Sequence, residues 1–339
     1  MKKIKFGIAG LGRLGKVHAQ NIASKIENAE LTAACSIVPN ELDFARDKLG
    51  VKNVYSDYKE MLSKADIDAV AIITTSSEHC WQIAAALDAG KHVFSDKPLG
   101  TTIDECRLAE EAVLRHPDLI FFLGFMRRFD PSYTYAMDQI KAGKIGKPYM
   151  VKATGIDPEA LVQSAIKFSP TSGGIFIDMA IHDIDLMRWF LGSDPVEVYA
   201  GGSTFKHPEF KKSNDDETGI AMYKCANGSM GFIHVGRTAS YGYHVETEVI
   251  GTEGTLRISP VPEKNLCFIY DQYGVRQECV GSFPERFAEA YLLEMENFVN
   301  CIQKNKKPDV NVYDGTKSTQ IAFATAESYK KNSLISITY

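Results

Sequence analysis

The chain of 339 residues lacks the marks of several protein classes. No apolar run is long enough to cross a bilayer, so we expect no membrane partner. Lys and Arg number 38 against 43 Asp and Glu, and the net charge of −5 does not indicate a nucleic-acid surface. Internal repeats and low-complexity linkers are also missing. The 45% hydrophobic and 24% charged residues are typical of a soluble globular protein, and the length predicts two domains.

Cysteine is present, but not in the patterns that make a disulfide framework or a zinc site. The count is seven, which is odd, and no two cysteines form a C-x-x-C pair. This usage predicts reduced thiols in a cytoplasmic protein, most of them serving as small core residues.

Three glycines near the start of the chain, Gly10, Gly12 and Gly15, form a motif. Residues 5–9 have the pattern of a short buried strand, Gly-Leu-Gly-Arg-Leu-Gly follows, and residues 16–22 have helical spacing. In this context Gly10 permits the tight turn, Gly12 lets the backbone approach a pyrophosphate, and Gly15 lets helix and strand pack closely. The helix N-terminus offers N–H groups to phosphates. The pattern predicts a dinucleotide site; an ordinary glycine-rich turn is the alternative.

The first third of the chain alternates between strand and helix patterns. Apolar runs indicate strands at residues 31–35, 69–73, 92–94 and 119–123. Helical spacing occurs at residues 41–49, 77–89 and 103–115. Repeated βα units predict a parallel sheet with right-handed crossovers.

The pattern changes near residue 124. Two-residue alternation between turns predicts antiparallel strands at residues 219–224, 229–235, 245–250 and 255–258. Two long helices are predicted over residues 285–302 and 313–330. We therefore predict an N-terminal dinucleotide-binding domain, residues 1–124, and a C-terminal α+β domain, residues 125–339.

A lysine stands where a cofactor crevice is expected. Ser-Asp-Lys-Pro, residues 95–98, directly follows a predicted parallel strand, and ligands of open α/β sheets bind beyond the carboxyl ends of strands. Pro98 restricts Lys97 to an extended conformation. A solvated turn lysine is the alternative, and position alone favours it.

The segment 173–192 predicts a helix from about residue 175 with two distinct faces. At helical spacing, one arc of roughly 60° carries Asp178, His182, Asp185 and Trp189. Another face carries Ile177, Ile181, Ile184 and Leu191 and is expected to face the core. A histidine one turn from two carboxylates can serve as a tuned base. A satisfied histidine on a polar face and a metal site are the alternatives.

Two arginines mark the predicted domain junction. Gly-Phe-Met-Arg-Arg-Phe-Asp, residues 124–130, follows a buried strand end, and its arginines could clamp a polar substrate or a pyrophosphate. Salt bridges between the domains are the alternative.

Together the glycine loop, the S-D-K-P turn, the G-F-M-R-R-F-D junction and the D-x-x-x-H helix resemble the glucose–fructose oxidoreductase/inositol dehydrogenase family, and within it the inositol 2-dehydrogenase branch. The resemblance covers nearly the whole chain. It implies an N-terminal Rossmann domain, α/β in class, and a C-terminal α+β domain with a large, mostly antiparallel open sheet. That sheet face commonly mediates oligomerisation, and a homotetramer is the expectation.

The resemblance also implies roles for individual residues. Lys97 would contact the reacting hydroxyl and the nicotinamide ribose, His182 would be the general base, and Asp178 would orient it. Further substrate contacts are implied at Met126, Arg127, Asp157, Asp185 and Tyr243. The predicted cofactor contacts are Gly10, Gly12, Arg13, Leu14, Gly15, Ser36, Thr74, Thr75, Ser76, His79, Asp96 and Lys97. No metal is predicted.

Two positions depart from the family pattern. Asp96 stands where the family motif usually begins with Glu, which keeps the charge but shortens its reach. Ser36 stands where NAD-preferring relatives carry an acid for the ribose hydroxyls. The next arginine along the chain is Arg46, so a strong clamp for a 2′-phosphate is also missing. We expect NAD, with NADP as the open alternative.

The predicted activity is NAD-dependent oxidation of a myo- or scyllo-inositol hydroxyl, a step of inositol catabolism. Two alternatives stay open: an NADP(H)-dependent sugar or keto-inositol oxidoreductase of the same superfamily, and a non-catalytic dinucleotide-binding sensor. The joint presence of Lys97, Asp178 and His182 favours an enzyme over the sensor.

Overall fold

The structure, a computed structural model, describes residues 2–259 and 263–339. The chain forms two compact units, Met1–Phe129 with Glu289–Thr319, and Asp130–Ala288 with Gln320–Tyr339. The division therefore lies after Phe129 rather than after residue 124, and residues 289–319 return to the first unit. Within the described residues, no helix combines the length and the apolar character that a membrane crossing requires.

The N-terminal part of the first unit alternates strands with helices. Its strands are β1 (Ile4–Ala9), β2 (Ala29–Cys35), β3 (Asn53–Tyr55), β4 (Ala69–Ile72), β5 (His92–Asp96) and β6 (Phe121–Gly124). Its helices are α1 (Arg13–Ser24), α2 (Pro39–Leu49), α3 (Tyr58–Lys64), α4 (His79–Asp88) and α5 (Ile103–Arg115). Two 3₁₀ helices, Ser76–Glu78 and Met126–Phe129, follow β4 and β6.

These strands form one parallel sheet in the order β3-β2-β1-β4-β5-β6. The order reverses between β1 and β4, which is the topological switch point where such sheets bind ligands. β4 and β6 are buried along their whole length because helices cover both faces of the sheet. The predicted parallel Rossmann sheet is confirmed.

The second unit contains helices and an extended sheet. Its elements begin with α6 (Pro131–Lys141), β7 (Pro148–Pro158), α7 (Val162–Ser172), α8 (Ile175–Asp178), α9 (Ala180–Leu191) and β8 (Pro195–Ser203). The next are β9 (Thr218–Cys225), β10 (Met230–Ala239), β11 (His244–Gly251), β12 (Thr255–Ile258), β13 (Glu263–Asp271), β14 (Gly274–Cys279) and α10 (Phe283–Arg286). Two 3₁₀ helices lie at Glu159–Leu161 and Pro208–Ser213.

The chain ends with α11 (Ala288–Lys304), α12 (Val312–Lys331) and β15 (Ile335–Ser336). The large sheet of the second unit has the order β12-β11-β7-β10-β9-β8-β15. Its pairs are antiparallel except β7 with β10, which run parallel. The predicted mostly antiparallel sheet is confirmed, and β13 and β14 form a separate exposed hairpin.

One face of this sheet packs against α9 and the other is open. Gly231 allows the close packing, because a Cβ built there would lie 1.9 Å from Met187 Sδ of α9. The four isoleucine and leucine residues predicted for the core face of this segment are buried: Ile177, Ile181, Ile184 and Leu191. On the open face, alternate positions of β9 and β10 leave Ile220, Met222 and Met230 exposed.

The return of α11 to the first unit has a simple physical cause. Met295 and Phe298 lie on one face of α11 and pack into the first unit's core. The ring of Phe298 lies 5.9 Å from those of Phe6 and Phe94 and 5.8 Å from that of Phe122. This aromatic cluster fixes α11 beneath the parallel sheet.

The seven cysteines all lie among the described residues and are unpaired thiols. Five of them are buried, as predicted for small core residues: Cys35, Cys80, Cys106, Cys225 and Cys301.

Candidate active site

The predicted cofactor residues lie beyond the carboxyl ends of four parallel strands. The glycine loop and the start of α1 follow β1, and Ser36 follows β2. Thr74, Thr75, Ser76 and His79 come after β4, and the last residue of β5 is Asp96, with Lys97 next. The sheet order therefore brings these groups to one edge, centred on the switch point.

The glycine loop has the shape of a phosphate cradle. Gly10 has φ +85°, and a Cβ there would lie 2.4 Å from the carbonyl oxygen of Ile73. A Cβ at Gly15 would lie 2.1 Å from the carbonyl oxygen of Gly10. At Gly12, by contrast, the nearest atom is Glu41 Oε1 at 4.0 Å. The loop is tight where it packs on the sheet and open where a pyrophosphate would approach the N-terminus of α1.

Arg13 and Leu14 stand in the first turn of α1, directly after Gly12. Gly12 is the N-cap of this helix and supplies no side-chain cap. The first N–H groups of α1 are therefore suited to an anionic group such as a dinucleotide pyrophosphate.

His79 links the ends of two neighbouring strands. Its ring nitrogen Nδ1 lies 2.7 Å from the Pro98 carbonyl oxygen, and Nε2 lies 3.2 Å from the Thr74 carbonyl oxygen. The ring is buried, and the Thr74 hydroxyl donates to Gln82 Oε1 at 2.7 Å. His79 thus holds the turn after Lys97 against the end of β4.

Asp96 supports Lys97 through the backbone. The Lys97 N–H donates to Asp96 Oδ1 at 2.8 Å. Burial raises the pKa of the Asp96 carboxyl, and the nearby Lys97 and His79 oppose that rise. Asp96, which is shorter than the Glu usual in the family, therefore orders the backbone of Lys97.

A buried pair of polar side chains lies in the same unit. His18 Nε2 of α1 is 3.7 Å from Glu294 Oε1 of α11, and both side chains are almost completely buried. Burial lowers the pKa of His18 to about 3. Burial, with the Asp96 carboxyl, raises the pKa of Glu294 well above its ordinary value. His18 is therefore uncharged near neutral pH, and burial favours the protonated form of Glu294.

The predicted arginine clamp lies in the 3₁₀ helix after β6. Met126 and Arg127 are both buried there. The neighbouring Arg128 donates to Asp314 Oδ1 of α12 at 3.2 Å, and both residues belong to the first unit.

In the second unit, the predicted single helix over residues 175–192 is divided. α8 ends at Asp178 and α9 begins at Ala180, with Met179 at the break. His182 and Asp185 lie in the first half of α9, and Asp185 is fully buried whereas His182 and Asp178 are partly exposed. The expectation of one continuous helix was wrong. The positive φ values at Gly173 and Gly174 give the chain a sharp entry into the short α8.

Asp178 is bound by a residue that sequence reasoning missed. Arg237 of β10 is buried, and its guanidinium donates to Asp178 Oδ2 at 3.3 Å and to Asp215 Oδ2 at 3.4 Å. Asp215 Oδ1 in turn accepts the N–H of Ile175, the first residue of α8, at 2.8 Å. This network holds both ends of α8.

A signal for Arg237 was available in the strand alternation. Ile233, Val235 and Arg237 occupy the same face of β10, and the first two are core residues. An arginine on a buried strand face requires buried partners, since an unpaired charge there is costly.

Asp157 and Tyr243 are neighbours in the second sheet. The antiparallel ladder of β7 and β11 pairs Ile156 with His244, and Asp157 and Tyr243 come directly beyond that pair. Tyr243 is buried, its N–H donates to the Val280 carbonyl oxygen at 2.8 Å, and its ring lies edge-on to Phe287. The parallel ladder with β10 ends beside the same position, near Arg237. The structure thus brings Asp157, Tyr243 and the Arg237–Asp178 pair to one end of the sheet.

Across residues 2–259 and 263–339, the structure contains no group of three or more His, Cys, Asp or Glu side chains that could hold a metal ion.

Comparison with protein families matches both parts of the chain. Residues 4–123 match the oxidoreductase family with an NAD-binding Rossmann fold. Residues 133–257 match the GFO/IDH/MocA C-terminal domain. Among curated proteins, the scyllo-inositol 2-dehydrogenase (NAD(+)) of Bacillus subtilis is 34% identical, over 97% of this chain and 94% of its own.

Solved structures of similar proteins cover almost the entire chain. The scyllo-inositol dehydrogenase of Lactobacillus casei with bound NAD(H) and scyllo-inositol has a TM-score of 0.96 and 46% identity, covering 99% of both chains. The myo-inositol 2-dehydrogenase of Lactobacillus plantarum has a TM-score of 0.97 and 40% identity, covering 99% of this chain and 100% of its own.

Proposed function

Because the chain belongs to the GFO/IDH/MocA family of oxidoreductases, we propose that it oxidises an inositol hydroxyl to the keto-inositol by hydride transfer to NAD⁺. The observation that supports this proposal is the similarity of this chain, over 99% of its length, to an enzyme whose structure was solved with NAD(H) and scyllo-inositol. The family-level resemblance inferred from the four sequence motifs is confirmed.

The residues of the first unit fit a dinucleotide. The open position at Gly12 and the uncapped start of α1 suit the pyrophosphate, and the carboxyl ends of β4 and β5 suit the nicotinamide half. When bound, NAD⁺ supplies the hydride acceptor. We assign the cofactor contacts to the loop, to Ser36, to residues 74–76, to His79 and to the Asp96–Lys97 pair.

The chemical roles follow from the types of side chain. His182 removes the proton of the reacting hydroxyl as general base. Lys97 stabilises the negative charge that develops on the same oxygen. Asp178 favours the charged form of the imidazole, and the Arg237 network sets the position of that carboxylate.

Hydroxyl-rich substrates need several hydrogen-bonding groups and no charge neutralisation. We assign Arg127, Asp157, Asp185 and Tyr243 to the remaining ring hydroxyls, and Met126, whose thioether is only a weak acceptor, to contact with the substrate ring. The ladder of β7 and β11, which brings Asp157 beside Tyr243, supports a shared role for these two residues.

A panel of initial rates tests the proposed function. Formation of reduced cofactor is followed with scyllo-inositol, myo-inositol and glucose, each with NAD⁺ and with NADP⁺. We expect an inositol with NAD⁺ to give the highest kcat/KM. Turnover of glucose alone, or preference for NADP⁺, would support the sugar oxidoreductase instead. Dinucleotide binding without turnover of any substrate would support the sensor.

We further propose that the protein is a cytoplasmic homotetramer that acts in inositol catabolism. The unpaired thiols support a reducing compartment. The exposed Ile220, Met222 and Met230 on the open sheet face support burial against another copy. Sedimentation velocity tests the assembly: Met222→Glu should shift a tetramer to smaller species, and a wild-type monomer would contradict it.

A further inference from the structure

The missing acid at the end of β2 leaves open how the chain would recognise the adenosine ribose. Ser36 occupies that position and is almost fully buried. Its hydroxyl donates to Glu41 Oε2 at 2.6 Å, and its Oγ accepts the N–H of Val38 at 3.1 Å. The hydroxyl is therefore engaged within the protein, and it fixes the carboxylate of a residue five positions further along the chain.

Glu41 stands in the first turn of α2 and extends toward the glycine loop. Its Oε2 also accepts the N–H of Leu11, the residue between Gly10 and Gly12, at 3.2 Å. Its Oε1 lies 4.0 Å from the position that a Cβ would take at Gly12. One oxygen is thus anchored to the loop and to Ser36, and the other borders the opening where a dinucleotide would approach.

We propose that Glu41 is the specificity residue for the cofactor, replacing the acid that is missing at position 36. Its carboxylate accepts hydrogen bonds from the ribose diol of NAD⁺. A 2′-phosphate carries a charge of roughly −1.5 to −2 and would be repelled by the same carboxylate. This inference rests on the proposed NAD-dependent function and names the residue that determines the choice of nucleotide.

Besides Arg13, which begins α1 directly after Gly12, two cations of the same helices are held by other groups. Arg46 donates to Asp43 Oδ1 at 2.8 Å, and both side chains are exposed. Lys16 of α1 places its Nζ 5.1 Å from the ring centre of Phe44. A site for a 2′-phosphate requires a guanidinium or ammonium directed at it, and these two contacts direct Arg46 and Lys16 elsewhere.

The test measures binding of the adenosine half alone, so that it does not depend on turnover. Isothermal titration calorimetry compares ADP-ribose with 2′-phospho-ADP-ribose on the full-length wild type and on Glu41→Gln. Glu41→Gln should weaken ADP-ribose binding about tenfold and strengthen binding of the 2′-phosphate analogue by a similar factor. The preference should therefore change about a hundredfold. Asp47→Asn, at an exposed acid on the same helix, should leave both affinities within about twofold.

A second variant tests the role of Ser36 in holding the Glu41 carboxylate in place. Ser36→Ala keeps the carboxylate but removes one anchor, so ADP-ribose binding should weaken about threefold while the 2′-phosphate analogue stays excluded. An unchanged preference in Glu41→Gln would overturn the inference, and inositol oxidation by the wild type would leave the proposed function standing. A wild type that binds neither nucleotide would overturn both.

Discussion

The two structural units position their candidate site residues by different means. In the first unit, glycines and strand ends position the residues. Backbone contacts shape the loop at Gly10, Gly12 and Gly15, and Lys97 directly follows strand β5. In the second unit, a buried arginine holds carboxylates that lie 59 and 22 residues away in the chain. Local backbone geometry is therefore visible in a sequence motif, whereas a buried charge network is assembled only by the fold.

Replacing Lys97 tests the chemistry assigned to the first unit and has the largest expected effect. Lys97→Met should lower kcat about 10²- to 10⁴-fold, because the developing oxyanion loses its cation. NAD⁺ affinity, measured by calorimetry, should stay within roughly tenfold. Lys64→Met, an exposed lysine of α3, is the matched control. A near-normal kcat in Lys97→Met would remove the lysine from the mechanism.

Replacing Arg237 tests the side-chain network of the second unit. Arg237→Met leaves two carboxylates, one of them buried, without their cation and should lower the free energy of unfolding by about 3–5 kcal/mol. Urea denaturation measures the change. Arg257→Met removes an exposed arginine that pairs with Glu246 and should cost at most about 1 kcal/mol. Equal losses in the two variants would contradict the structural role of Arg237.

Substitutions at two glycines of the same loop test packing and cofactor binding separately. A Cβ at Gly15 collides with backbone, so Gly15→Ala should lower the free energy of unfolding by about 1–3 kcal/mol and also weaken NAD⁺ binding. At Gly12 the nearest atom outside the neighbouring residues is Glu41 Oε1, 4.0 Å from the position of a Cβ, which is an ordinary contact distance. Gly12→Ala should therefore weaken NAD⁺ binding with little change in stability. Thermal unfolding and calorimetry of both variants check this, and a large stability loss in Gly12→Ala would contradict it.

Replacing Glu294, the buried acid of the first unit, has the smallest expected effect on stability, and this effect depends on pH. Glu294 faces His18 and the Asp96 carboxyl, and burial raises its pKa from an ordinary value of 4.5. The native state keeps this proton where the unfolded chain releases it, so Glu294 lowers stability as the pH rises above 4.5. His18, with its pKa lowered from 6.5 to about 3, lowers stability as the pH falls below 6.5.

Of these two groups, only Glu294 still changes its contribution well above pH 6.5. Glu294→Gln should gain stability relative to the wild type by up to about 1.4 kcal/mol for each pH unit. Urea denaturation between neutral and mildly alkaline pH measures this difference. Glu289→Gln, an exposed acid on the same helix, should show no such trend. Parallel pH profiles of the wild type and Glu294→Gln would mean that the carboxyl is already ionised in the native state.

Much of the first unit could be predicted from the sequence because its signals are local. The glycine loop, the apolar strand at residues 69–73 and the turn at Lys97 each depend on neighbouring residues, and the fold class is confirmed. The short β3 and α3 gave too few apolar repeats to be recognised, and β5 extends to Asp96 because Ser95 and Asp96 pair with β6 despite their polarity.

The parts that were missed depend on distant partners. Residues 289–319 belong to the first unit because Phe298 packs among Phe6, Phe94 and Phe122, which periodicity cannot reveal. The break between α8 and α9 directly follows Asp178, which Arg237 holds, whereas Asp215 holds the N–H of Ile175 at the other end of α8. The strand-end pattern gives no signal for Glu41, because this residue lies in the first turn of α2 rather than at the end of β2.

Direct hydride transfer from an inositol carbon to the cofactor is the central claim, and isotope transfer tests it most directly. The enzyme is incubated with NAD⁺ and scyllo-inositol deuterated at its ring carbons, and the reduced cofactor is analysed by mass spectrometry. We predict one deuterium in each reduced nicotinamide. Reduced cofactor without deuterium, or deuterium released to water, would contradict the claim.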